Sequence, residues 1–304
     1  MAPVLAALDN NNAAIVEKLF GTPVAVFIGG TSGIGQGMAE TFARWRDGKA
    51  HIVIVGRNEA AAKDIISHFP KATGSETWSH KFVHCDVTLM KNVHIASQTI
   101  LEKYPKINFL ILSPGFFSTS GRDETLEGID KTLAVHYYAR WKFIDELLYA
   151  LKKANEEGED ARVMSVLAAG RGGKIESNNL GLKKGYSFRT ATEAATTYND
   201  LMVESFQQQN PGIIFSHSFP GAVLTNIMSS AHMPWLRAVA PVANLIAKPF
   251  TVTQNQCAEY LWSGLLNGTS RIGKKGEDIG KTGYYGNDEL RQKLWEHTEE
   301  VTKV

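Results

Sequence analysis

Residues 24–39, VAVFIGGTSGIGQGMA, leave the chain few folds to choose from. Residues 24–28 are all apolar and read as a buried strand. A turn rich in glycine follows, with Gly29, Gly30, Gly33 and Gly35, and residues 37–45 read as a helix. A strand, a bare turn and a helix start bring main-chain N–H groups and the positive end of a helix to one point, where a pyrophosphate can sit. Glycine belongs there because a Cβ would strike the phosphate or block the turn. The alternative for the same residues is a tight turn with no ligand.

Composition narrows the classes further. The chain has 304 residues, enough for one large α/β domain with a sizeable core. An apolar content of 43% and a net charge of +1 argue against disorder, a nucleic-acid footprint and a membrane-surface patch. Two cysteines, Cys85 and Cys257, make neither a disulfide framework nor a metal cluster and fit a reducing compartment, so a cytoplasmic protein is expected. Asp9, Asn10, Asn11, Asn12 and Glu17 interrupt the first twenty residues, which do not read as a signal peptide. No apolar run is long enough to span a bilayer, so no integral membrane span is expected. Residues 1–22 read as an N-terminal extension, either a short helix packed outside the domain or a partly ordered leader.

The spacing G-x-x-x-G-I-G, with Gly29, Thr31, Ser32, Gly33, Ile34 and Gly35, resembles the short-chain dehydrogenase/reductase family; Ile28 stands where that family usually has Thr. The resemblance implies an α/β fold, a doubly wound parallel sheet (Rossmann fold). It would be a single domain over residues 23–304 with a C-terminal helical lid. It also implies a nicotinamide dinucleotide as cofactor.

Residues 51–55 read as the second strand, ending in Gly56, Arg57 and Asn58. The end of that strand faces the adenosine ribose in this architecture. An acid there would repel a 2′-phosphate, whereas the Arg57 guanidinium can pair with it, so NADP(H) is expected; a solvated loop arginine is the alternative. Residues 59–68 read as a helix and 81–83 as a third strand. Asp86 and Val87 follow; by resemblance Asp86 lies near the adenine amino group, while on the residues alone it would cap a helix over 89–104. Residues 108–112 read as the fourth, central strand. After it Ser113, Pro114 and Gly115 replace the family's N-A-G, so the glycine stays but the side-chain link to the neighbouring strand should be lost. Pro220, Gly221, Val223 and Thr225 match the family's P-G-x-V-x-T, which holds the nicotinamide amide.

The reacting end departs from the family. Residues 129–151 read as one long helix, in which His136 takes the place of the family's proton-relay Asn. A histidine there can hold a water or take a proton, or it can simply be buried. The fifth strand is expected over 162–166, after which Leu167 and Ala168 stand where the family has Ser-Ser; Ser165 is nearby but is expected on the other face. In the family's Y-x-x-x-K, Tyr186 is present and Thr190 holds the Lys position, with Arg189, Lys183 and Lys184 close in sequence. Tyr186 would act as acid/base and touch the cofactor, with Thr190, Arg189 and His136 as helpers. Counting back from Pro220, Tyr186 is about four residues early; either a small insertion follows it, or Thr190, Ala191 or Thr192 is the true counterpart and the tyrosine is not catalytic.

Residues 193–209 read as a helix and 213–215 begin the sixth strand. Residues 227–250 are apolar, broken by Pro234, Pro241 and Pro249, and read as a substrate lid; a dimer contact or a shallow membrane contact is the alternative. Residues 253–266 read as a helix. Residues 282–286 and 289–301 resemble the closing strand and helix of the retinol dehydrogenase-like branch. The expectation is an NADP(H)-dependent oxidoreductase that interconverts a carbonyl and an alcohol on a lipophilic small molecule, with an atypical active site. A homo-oligomer is compatible with it. The alternative is an NADP(H)-binding non-redox enzyme, a cyclase or isomerase, or a regulator that has lost the Ser/Lys relay.

Overall fold

The structure, a computed structural model, describes residues 2–18, 21–72, 78–118, 121–223 and 251–304. Seven strands form one parallel sheet in the order β3-β2-β1-β4-β5-β6-β7. They are β1 (Val24–Ile28), β2 (His51–Gly56), β3 (His80–His84), β4 (Phe109–Leu112), β5 (Arg162–Val166), β6 (Ile214–Ser218) and β7 (Arg271–Ile272). The helices are α1 (Ala2–Glu17), α2 (Gly33–Trp45), α3 (Glu59–Ser67), α4 (Met90–Leu101), the single turn α5 (Lys131–Leu133), α6 (Ala139–Glu156), α7 (Phe188–Gln209), α8 (Gln254–Leu266) and α9 (Asp288–Val301). This is the doubly wound α/β fold that the opening motif implied.

The central strands are apolar throughout because both faces are covered. Along β1, Val24, Val26 and Ile28 point into one core with α4, α6 and α7, whereas Ala25 and Phe27 point into the other with α2 and α8. In that second core the indole of Trp262 lies against Phe42, Phe109, Phe27 and Trp45. The chain moves outward from β1 to β3, then returns to β4 on the other side of β1. The carboxyl ends of β1 and β4 therefore lead into connections that diverge and leave a crevice between them. Helix α1 lies on α2 and α8, where Asn12 Nδ2 donates to the Glu259 carbonyl (3.0 Å) and Asp9 pairs with Arg44 (3.0 Å).

Two expectations need correction. Residues 129–151 are not one regular helix: after α5 the chain runs through a π-helical segment, Ala134–Tyr138, before α6 begins. A π segment offsets the i−4 ladder, and the His136 carbonyl takes the Asn199 side-chain amide (2.8 Å). Residues 282–286 do not form the closing strand either. Gly280 and Gly283 adopt positive φ (51° and 59°), which an extended run cannot contain, and the sheet closes earlier with β7, paired to His217 and Ser218. The proposed lid, 227–250, lies outside the described residues, as does Thr225.

Candidate cofactor and reaction site

At the carboxyl end of β1 the glycines are closely packed by main chain and by the Ser113, Phe27 and Ile54 side chains. Gly29 has φ +81° and donates its N–H to the Val55 carbonyl (2.9 Å); a Cβ on it would lie 2.7 Å from the Pro114 nitrogen. A Cβ on Gly35 would run into Ser113 Oγ and lie 2.6 Å from the Gly29 carbonyl oxygen. Gly33, the first residue of α2, has φ +60°. Ser32 stands at the N-cap in extended backbone, and its side chain makes no bond to the helix amides. Among the described residues the first amides of α2 thus meet no side-chain acceptor, which is the arrangement an anion needs. Thr31 packs on the end of β2, where a Cβ on Gly56 would come within 2.8 Å of its methyl group. Ile34 is half-buried against the core beneath the turn.

The neighbouring strand ends complete the cradle. Arg57 is exposed at the end of β2, and its guanidinium has no ion pair among the described residues. Asn58 is committed locally: its Oδ1 accepts from Ala61 N (3.0 Å) and caps α3. Asp86 closes its own turn by accepting from Thr88 N (3.0 Å). It does not cap α4, because Glu127 accepts from both Met90 N and Lys91 N at that helix start. Val87 packs against the core. Ser113 corrects the expected loss of a strand link: its Oγ donates to the Ile28 carbonyl (3.1 Å), alongside the Ser113 N–H (2.8 Å). A short hydroxyl reaches the strand without an amide. Gly115 is exposed, with the Nε2 of His136 3.5 Å from where its Cβ would be. On the far side, Gly221 turns with φ +73°, Cys257 Sγ points at the Pro220 carbonyl, and Val223 bridges to Val252.

The reacting end is different in kind. His136 is buried; its Nε2 accepts from Phe116 N (3.4 Å) and its ring stacks on Phe116. Burial, with a smaller contribution from the Arg140 charge, pushes its pKa down to about 3. His136 is therefore neutral at ordinary pH, and uptake of a proton does not fit its surroundings. Tyr186 is half-buried just before α7, and its hydroxyl donates to Thr132 Oγ1 (3.1 Å). Burial raises its pKa, so the phenol keeps its proton. The structure does not bring Thr190 and Arg189 to that hydroxyl. Thr190 and Ser187 form a capping box that starts α7, and Arg189 lies in solvent against Glu193 (2.8 Å).

Two buried networks that the sequence reading missed stand behind the crevice. In the first, Arg140 sends Nη1 to the Leu112 carbonyl (3.2 Å), Ser165 Oγ (2.6 Å) and the Val166 carbonyl (2.9 Å), and Nη2 to the Pro114 carbonyl (2.6 Å). Ser165 Oγ in turn donates to Asn199 Oδ1 (2.6 Å). In the second, Ala168 N donates to His217 Nε2 (3.3 Å), while His217 Nδ1 and the Arg271 guanidinium both bond Asp200. The sequence signal for the first was Arg140 within the largely apolar stretch AVHYYARWKFI, which also holds His136 and Lys142.

Comparisons with known proteins agree with this architecture. The model of the family described as short chain dehydrogenase matches residues 23–175. An oxidoreductase of Emericella nidulans, AN1596, is 31% identical over an alignment that covers 91% of this chain and 92% of that protein. The human polyprenol dehydrogenase is 29% identical over 48% of this chain and 42% of its own. A short-chain dehydrogenase/reductase of unknown function from Caenorhabditis elegans, solved with cofactor, superposes with a TM-score of 0.63 at 20% identity, over 84% of this chain and 95% of that one. An alcohol dehydrogenase from Thermococcus sibiricus, complexed with 5-hydroxy-NADP, gives 0.59 at 19% identity, over 83% and 96%. At those identities the two structures speak to the fold alone.

Proposed function

This chain belongs to the short-chain dehydrogenase/reductase family, and we propose that it is an NADP(H)-dependent oxidoreductase that interconverts a carbonyl and an alcohol on a lipophilic small molecule. The observation that carries the reading is the cradle: Gly29 and Gly35 sit where any Cβ would collide, directly under an open helix start. The exposed guanidinium of Arg57, one strand over and without an ion pair among the described residues, supports the phosphorylated dinucleotide. The apolar stretch 227–250 supports a lipophilic substrate, and the name of the human relative points the same way.

The cofactor supplies the hydride chemistry when bound. The chain supplies the rest. The amides of α2 and the glycine turn bind the pyrophosphate, and Arg57 binds the 2′-phosphate. Tyr186, protonated and half-buried, is the donor to a substrate oxygen; Thr132 holds its hydroxyl until that oxygen arrives. Neutral His136 fixes the 115–116 backbone through Phe116 N. The test is calorimetric titration with NADPH and NADH, followed by turnover on a panel of apolar ketones, aldehydes and secondary alcohols. Tight NADPH binding and oxidation of NADPH by a panel member are expected. Affinity for neither dinucleotide overturns the reading.

A second reading rests on a specific observation. Leu167 and Ala168 replace the family's serines, and Thr190 is spent as a helix cap. A chain that keeps the cradle and loses the proton relay can use the dinucleotide as a wall for a cyclisation or isomerisation, or as a signal. Substrate conversion with no net change in cofactor absorbance would favour it.

A further inference from the structure

Arg140 is the feature of the crevice that neither the cradle nor Tyr186 accounts for. It is 1% exposed, yet among the described residues no carboxylate touches it. Its partners are four carbonyls, of Val135, Leu112, Val166 and Pro114, and the Ser165 hydroxyl. Asp200, the buried acid on the neighbouring helix α7, is already bonded by Arg271 and His217. Carbonyl oxygens solvate a guanidinium but do not cancel its charge. Burial pulls its pKa down to about 9, which leaves it positive at neutral pH. A buried net charge is costly to keep, so its location matters. That location is the carboxyl ends of β4 and β5: Leu112 and Val166 are the last residues of those strands, and Pro114 adjoins Gly115 at the mouth of the crevice. The His136 ring is held neutral first by burial and then by this charge.

We propose that Arg140 makes the site selective for the redox state of the cofactor: the uncompensated guanidinium under the strand ends favours the neutral reduced nicotinamide ring over the cationic oxidised one. The inference rests on the dinucleotide reading given above. Reduced and oxidised dinucleotide carry the same phosphates and ribose hydroxyls, so the cradle and Arg57 grip both alike. They differ by one positive charge on the ring, and a like charge fixed in a poorly screened interior penalises the oxidised form alone. By linkage, the bound couple is then easier to reduce than the free one, and oxidised cofactor leaves readily.

The measurement is calorimetric and needs no substrate: dissociation constants of NADPH and NADP+ for the wild type, Arg140→Gln and Arg140→Lys, at one salt concentration. The wild type should prefer NADPH by about tenfold or more. Arg140→Gln, which keeps hydrogen-bond donors and loses the charge, should bring the ratio towards unity. Arg140→Lys, which keeps the charge, should restore it. Equal affinity of the wild type for both forms overturns this inference and leaves the dinucleotide reading standing, whereas binding of neither form overturns both. A glutamine variant that keeps the wild-type ratio also overturns it. If that variant does not fold, Arg140→Met, an uncharged chain of similar length, takes its place, and a wild-type ratio kept in it overturns the inference.

Discussion

At the end of β1 the groups offered to a ligand are main-chain amides, held where the glycines let strand and helix close up. At the ends of β4 and β5 the groups are side chains, and most of them are turned towards other side chains: Tyr186 to Thr132, Ser165 to Arg140 and Asn199, Thr190 to its own helix start. A main-chain site tolerates almost any surrounding sequence so long as a few positions lack a Cβ. A side-chain site can be rebuilt by exchanging one residue for another. That contrast explains how one end of the crevice keeps the family pattern while the other departs from it at the Asn, Ser and Lys positions.

The contrast can be broken most forcefully at Gly35. Gly35→Val places carbon against Ser113 Oγ and the Gly29 carbonyl, and the expected outcome is loss of dinucleotide binding, with thermal unfolding reporting a cost of about 4 kcal/mol or more. Retained binding would show that the turn is softer than a main-chain cradle should be. At the other end, Tyr186→Phe should lower turnover about 10²- to 10⁴-fold with unchanged NADPH affinity. Full activity in that variant would take the proton donor away from Tyr186 and strengthen the non-redox reading. Arg57→Ala removes a side chain from an otherwise main-chain end. It should weaken NADPH by about tenfold to a hundredfold and leave NADH unchanged, as titration of both will show.

The smallest effect probes the back of the cradle, where α1 rests on α2 and α8. Glu259, buried beside Asp9 and bonded by Arg44 (2.7 Å), has its pKa pushed up to about 8, first by burial and then by the Asp9 carboxylate. Its folded value lies above its unfolded one, so the stability it contributes is fully present at acid pH and is lost as the pH rises through about 8. Stability should therefore fall by on the order of 1 kcal/mol per pH unit between pH 5 and 8, and Glu259→Gln should flatten that slope in thermal melts. An unchanged slope would assign the pH dependence elsewhere.

The fold was legible because its signals are local. The stretches 24–28, 51–55 and 162–166, rich in β-branched and apolar residues, fall within strands β1, β2 and β5, and glycine spacing marks a turn wherever it occurs. The reacting end was less legible because hydrogen-bond partners across the fold decide it. Tyr186 and Thr132 are 54 residues apart, and Arg140 and Ser165 are 25 apart. No period or motif says that Thr190 will cap a helix, that Ser113 can replace an amide, or that Glu127 will cap α4 from 37 residues away.

The sequence by itself determined the succession of strands from β1 to β6, the glycine turn and the arginine that follows β2, because each depends on residue type at fixed short spacing. Tertiary structure alone decided that His136 is neutral, that Thr190 and Arg189 are turned away from Tyr186, and that Arg140 carries a bare charge beneath the strand ends. Those properties depend on which oxygen faces which nitrogen and on how much water is excluded, and both are settled only when distant segments close around one another.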